Sequence, residues 1–242
     1  MILTQPMLNV FAALLLAHML GDFLFQPAWM AARKRNVFIL LLHVAIHGVL
    51  TTLVLGGTWQ LALLVMLAHL VIDAAKSYAL PAPARNGFQA FLVDQALHIG
   101  TLGWIAFRYP GALNDAVAAQ AIWLLPVALI LSGAIAAVLA GGYAVGMLTS
   151  RFSEHLPRGG LPEAGRLIGQ LERALIFLLI LVDQPAAIGF LITAKSILRF
   201  KEATDDQKTA EYVIVGTLAS FLWAMGCGYT TSALLEISAG IP

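Results

Sequence analysis

Eight residues in the first hundred positions have the types and spacing to bind a metal: His18 with Asp22, His43 with His47, His69 with Asp73, and Asp94 with His98. Each pair is four positions apart, about one α-helical turn, so its two side chains share a helix face. Imidazole and carboxylate together suit zinc, iron, manganese or nickel. The single cysteine, Cys227, excludes an intrachain disulfide and a thiolate zinc cluster. Two divalent ions about 3.5 to 4 Å apart would fit hydrolysis, with a bridging hydroxide attacking a phosphoryl or carbonyl centre. Iron on the same ligands would fit oxygen chemistry, and a metal-free chain of His and Asp could relay protons.

The elements that must hold these pairs are membrane helices. Of 242 residues, 60% are hydrophobic and only 11% charged, against about a quarter charged in ordinary soluble chains. Net charge is near zero and the longest basic run is Arg33-Lys34-Arg35, which gives no footprint for nucleic acid. A crossing helix needs about 20 apolar residues. That length places spans over about Met7 to Ala28, Val37 to Leu55, Trp59 to Leu80, Phe88 to Tyr109, Ala118 to Thr149 and Tyr212 to Ile237. The first lacks the basic start of a cleaved signal and is expected to be retained. Pro126 should kink the fifth. Leu167 to Phe200 carries Glu172, Arg173, Asp183, Gln184 and Pro185. It is expected as a hairpin or re-entrant segment turning at Asp183-Gln184-Pro185. The expected fold is thus an all-α polytopic transmembrane bundle of about seven spans, with residues 1–115 forming a four-helix His/Asp-bearing domain and 116–242 a second membrane region.

Basic residues favour cytoplasmic loops. Arg33, Lys34 and Arg35 after the first span, with Lys76 and Arg85 around the third-to-fourth connection, put the N-terminus in the periplasm. Depth then follows from the helical rise. Asp22, Asp73, Asp94 and His43 fall about 10 Å in from the cytoplasmic helix ends, and His18, His47, His69 and His98 about 6 Å deeper. The order within each pair reverses with helix direction, as convergence on one site requires: His precedes Asp on the first and third spans, and Asp precedes His on the fourth. The plan is that of helix-bundle dinuclear sites, with different residues.

Gln26, one turn beyond Asp22, and Gln95, beside Asp94, could orient the ligands by hydrogen bonding. Lys76, one turn beyond Asp73, could meet an anionic head group, although snorkelling to the cytoplasmic surface is the simpler expectation. Arg173, inside an apolar helix, needs a partner such as Asp183 or a lipid phosphate. Gly169 and Gly189 suit close helix approach. His155 lies outside the pattern and is expected at the surface.

The stretches AHMLGDFLFQ (Ala17 to Gln26), HVAIH (His43 to His47), HLVIDAAK (His69 to Lys76) and DQALH (Asp94 to His98) resemble the bacterial membrane family known as domain of unknown function 3307. GRLIGQLERALI, AIGFLITAKSILRF and AEYVIVGTLASF are similar to the C-terminal extension of many of its members. The resemblance implies a bacterial inner-membrane protein and assigns no reaction. More loosely, His and Asp in short membrane helices are similar to a group described as membrane-bound metal-dependent hydrolases. The leading expectation is a metal-dependent hydrolase acting on a lipid or lipid-linked substrate from the cytoplasmic leaflet, holding one or two divalent ions. A divalent-cation or proton-coupled transporter and an accessory subunit of a larger membrane complex are the alternatives. Expected partners are membrane lipids, a second copy of the chain or a larger membrane complex.

Overall fold

The computed structural model describes residues 4–150, 152, 162–203 and 207–240, and every element among them is a helix. His155, with Arg151 and Arg158, lies outside the described residues. Helix α1 (Gln5–Met19) continues through a π turn, Leu20–Leu24. The short α2 (Ala28–Ala32) carries the chain to α3 (Val37–Val54), which starts where the Asn36 side chain accepts hydrogen bonds from the Phe38 and Ile39 amides, the usual capping role of asparagine. Helix α4 (Trp59–Ala74) also ends in a π turn, Ala75–Ala79, and after the one-turn α5 (Ala82–Arg85) comes α6 (Phe88–Arg108). The short α7 (Asp115–Ala118) precedes α8 (Ala121–Ile135), which runs through a third π turn, Ala136–Ala140, into α9 (Gly141–Thr149). Pro126 lies inside α8, and the widened turn comes ten positions later. The remaining helices are α10 (Pro162–Leu181), α11 (Ala186–Ala203) and α12 (Gln207–Gly240).

Among the described residues, six helices are long and apolar enough to cross a membrane: Gln5–Leu24, Val37–Val54, Trp59–Ala79, Phe88–Arg108, Trp123–Thr149 and Ala210–Gly240. They coincide with the expected spans to within a few residues. Their outward faces are apolar, with Phe38, Trp123 and Leu222 each more than 70% exposed, as lipid-facing surfaces are and soluble surfaces are not. The segment from Leu167 to Phe200 is broken where expected. Helix α10 ends at Leu181, Asp183 adopts φ 55°, and α11 starts at Ala186. Aspartate tolerates this left-handed geometry, and Pro185 cannot continue a helix. Lys195 on α11 reaches Glu172 on α10 at 2.6 Å, and Ile180 and Ile188 share one apolar cluster. The two helices therefore run antiparallel as a hairpin.

The helices form two compact units, one containing α1 to α8 and α12 from Leu234 onward, the other running from Ala136 to Ala233. In the first, α1 packs on α3 and α6, α4 packs on both of these, and α8 flanks α1. One half of this four-helix ring is an apolar layer of Val10, Leu14, Leu55, Val65, Leu102 and Ile105. At that end the α3–α4 turn uses Gly56 (φ 73°) and Gly57 (φ 103°), and the Asn114 side chain donates to the Gly56 carbonyl at 2.6 Å. A Cβ on Gly56 would stand 2.7 Å from Asn114 Cγ, so the turn requires glycine both for its dihedral and for this contact. The other half of the ring holds the ionisable pairs.

Candidate metal centre

All eight His and Asp side chains are buried within the first unit, the most exposed being Asp22 at 9%. Two come from α1 and its π turn, and two each from α3, α4 and α6. The two expected layers meet at Asp22, which lies in the π turn at the end of α1. Its Oδ1 stands 3.1 Å from His47 Nε2, 3.3 Å from His43 Nε2 and 3.6 Å from His69 Nε2. His43 Nε2 and His69 Nε2 are 3.1 Å apart, and Asp73 Oδ2 lies 3.4 and 3.5 Å from them. The imidazoles stack in turn, with ring centroids 3.7 Å apart for His47 and His69 and 5.0 Å for His18 and His98. This density depends on Gly21: a Cβ there would stand 2.3 Å from His47 Cε1, so only glycine lets α1 approach the ring.

These separations, which also suit hydrogen bonds, match the spacing of ligands around an ion. Donors about 2.0 to 2.1 Å from a tetrahedral metal lie about 3.3 to 3.4 Å from one another. Three overlapping groups have ligand atoms within 4.8 Å of one another: His18, Asp22, His47 and His69; His43, His69 and Asp73; and Asp22, Asp94 and His98. The last two share no residue, so two ions could each have a triad, with His18 and His47 beside them. In the third group, His98 Nδ1 is 2.9 Å from the Asp94 carbonyl oxygen. Its Nε2 and Asp94 Oδ1 are buried with no hydrogen-bond partner among the described residues. Native interiors seldom leave such atoms unsatisfied without an ion, water or function. The donor set, its spacing and these two orphaned atoms fit a divalent transition metal.

The surrounding contacts hold these groups in place. Gln95 is 3.1 Å from His18 Nε2 through Oε1, and its Nε2 donates to Asp22 Oδ2 at 3.0 Å and Asp94 Oδ2 at 3.3 Å. Gln26 Nε2 lies 3.0 Å from both ring nitrogens of His43. Lys76 departs from its expected place at the surface or on a head group. Its Nζ stands 3.0 Å from Asp94 Oδ2, because the π turn Ala75–Ala79 carries it beside α6. Lys34 is the site residue that the spacing argument misses, since it belongs to the basic cluster that sets topology. It donates to Asp73 Oδ2 at 2.8 Å. Its burial disfavours the ammonium, but the carboxylate of Asp73, with Asp22 and Asp94 beyond, outweighs this and holds its pKa above the ordinary lysine value. Each disjoint triad thus has one lysine on one carboxylate.

Arg173 is not among these groups. It lies in the second unit and bonds the Val138 carbonyl and Ser220. It does not pair with Asp183, which is exposed at the hairpin turn.

Comparison with curated proteins and with solved structures gives no match. The family described as Protein of unknown function (DUF3307) matches residues 10–124. That segment holds all eight His and Asp residues with Gln26, Lys34, Lys76 and Gln95, and the resemblance carried by the four motifs is to this family.

Proposed function

We propose that the first unit is a membrane-embedded, metal-dependent hydrolase site for a lipid or lipid-linked substrate reaching it from the cytoplasmic leaflet of a bacterial inner membrane. The observation that carries this reading is the convergence of the eight donors, with His98 Nε2 and Asp94 Oδ1 left unsatisfied. His43, His69 and Asp73 would hold one ion, and Asp22, Asp94 and His98 a second, or the His18, Asp22, His47 and His69 group a single one. A bound divalent ion supplies Lewis-acid polarisation and makes water a competent nucleophile near neutral pH. Gln95 and Gln26 orient imidazoles and carboxylates. Lys34 and Lys76 place positive charge on the side of the site nearer the basic loops, where an anionic substrate group would arrive.

One-sided access separates this reading from a transporter. Alternating access needs a central site that can open both ways. Here an apolar layer from Val10 and Leu14 to Ile105 fills the non-basic side, and Val10 lies about 12 Å from His18 along the helix by the rise per residue. That layer supports an enzyme over a divalent-cation or proton-coupled carrier. The positive-inside pattern supports the periplasmic N-terminus.

The test is elemental analysis of the purified full chain beside His69→Ala, with hydrolysis of phosphoryl- and acyl-linked lipids in nanodiscs. The expected result is stoichiometric zinc, iron or manganese and metal-dependent turnover, both lost in a folded His69→Ala. Wild type free of transition metal, with His69→Ala leaving the fold unchanged, would overturn the reading. Metal uptake into proteoliposomes without turnover would move the assignment to a transporter.

A further inference from the structure

In the second unit, Arg173 on α10 is only 4% exposed. Its Nε and Nη2 donate to the Val138 carbonyl at 3.3 and 2.9 Å, and its Nη1 donates to Ser220 Oγ at 3.2 Å. Val138 lies in the π turn Ala136–Ala140, whose widened geometry leaves carbonyls open to side-chain donors. The Ala136 carbonyl likewise accepts from Trp223 Nε1 at 2.9 Å. Every acceptor of the guanidinium is neutral. Among the described residues, no carboxylate lies within ion-pair distance of it. The adjacent Glu172 is engaged with Lys195 at 2.6 Å. A buried charge is costly until an opposite charge joins it.

A cavity of about 380 Å³ adjoins the guanidinium, lined among others by Arg166, Glu172, Lys195, Tyr212 and Ser220. Among the described residues, three cationic side chains and one carboxylate line it, and that carboxylate is already paired. The volume is enough for about a dozen waters, far more than one monatomic ion needs. Glycines clear the space around the guanidinium: a Cβ on Gly142 would stand 3.1 Å from Nη2, and one on Gly169 3.2 Å from Nη1. Three of the five N–H donors of a guanidinium are accounted for by the bonds to Val138 and Ser220, leaving two.

We propose that this cavity binds a phosphate-bearing anion. The phosphate oxygens take the two free N–H donors of Arg173, for which a planar fork is suited, and Lys195 and Arg166 supply further positive charge. The phosphate could belong to an anionic phospholipid head group or to a soluble phosphate. The site uses none of the His/Asp residues and does not rest on their function.

The experiment uses the full chain with two probes. In one arm, detergent-purified protein is equilibrated with phosphatidylglycerol against phosphatidylcholine, and retained lipid is counted by native mass spectrometry. In the other, inorganic phosphate is titrated while thermal unfolding is followed. Preferential retention of phosphatidylglycerol identifies a lipid source, and stabilisation by inorganic phosphate alone identifies a soluble one. Arg173→Gln should weaken whichever probe binds by about tenfold or more, the scale of a charge-assisted hydrogen bond. Because that variant removes a packed side chain, Arg166→Gln at the exposed rim is the second test, with a loss of about threefold. Wild type that binds neither probe preferentially, or folded variants that both bind as wild type does, would overturn the proposal.

Discussion

The two units handle buried charge in opposite ways. In the first, the carboxylates of Asp22, Asp73 and Asp94 are met from within the chain by imidazoles, the Gln95 amide and two lysines. In the second, the described partners of Arg173 are a backbone carbonyl and a hydroxyl. Both arrangements use a π turn beside the polar group, at Leu20–Leu24 and Ala75–Ala79 in one and Ala136–Ala140 in the other. A membrane helix can thus place its polar atoms by widening one turn. Whether the resulting site is self-contained depends on the partners that neighbouring helices bring.

That contrast can be broken by mutation. The largest effect is expected for Asp22→Asn, because one oxygen of Asp22 faces three imidazoles. Metal affinity should fall at least about a hundredfold, measured by competition with a chelator of known strength. Arg173→Gln should leave metal content unchanged, and a loss of metal there would show that the two units are not independent in charge. Next comes Gln95→Leu, which removes the bridge between His18, Asp22 and Asp94. A weakening of about 10- to 100-fold is expected, with the fold intact by circular dichroism. Smallest is Gly21→Ala, where a Cβ meets the His47 ring. It should cost about 1 to 3 kcal/mol of stability as an overpacked core does, read from denaturant unfolding in detergent. Gly100→Ala, whose Cβ meets nothing within 4 Å, should change stability by less than about 1 kcal/mol. Equal effects of the two would mean that the tight approach at His47 does not constrain the site.

Much of the first unit was legible in the sequence because its signal is local. A His and an Asp four positions apart in an apolar segment share a face wherever the helix packs, and the reversal of order on antiparallel spans follows from direction alone. The break at Asp183-Gln184-Pro185 was legible for a similar reason, since proline and polar residues interrupt an apolar helix by their own chemistry. What stayed hidden depends on tertiary geometry. Lys34 cannot be distinguished in sequence from Arg33 and Arg35, yet only its ammonium reaches Asp73. Lys76 reads as a snorkelling residue until the π turn is seen to carry it to Asp94. For Arg173, charge complementarity points to Asp183 or a lipid phosphate, whereas the structure supplies a carbonyl freed by a π turn that no residue pattern announces.

The lysine on each disjoint triad has a consequence for charge balance. With the imidazoles neutral, as ligation requires, three carboxylates and two ammonium groups leave the site one negative charge. A single divalent ion would turn this into one positive charge, and a second ion into three, inside a region where uncompensated charge is costly. Ion loading and anion binding would therefore be thermodynamically linked, each tightening the other by the same factor. A site neutralised this far by its own lysines would hold its metal most firmly while an anionic substrate or product is in place.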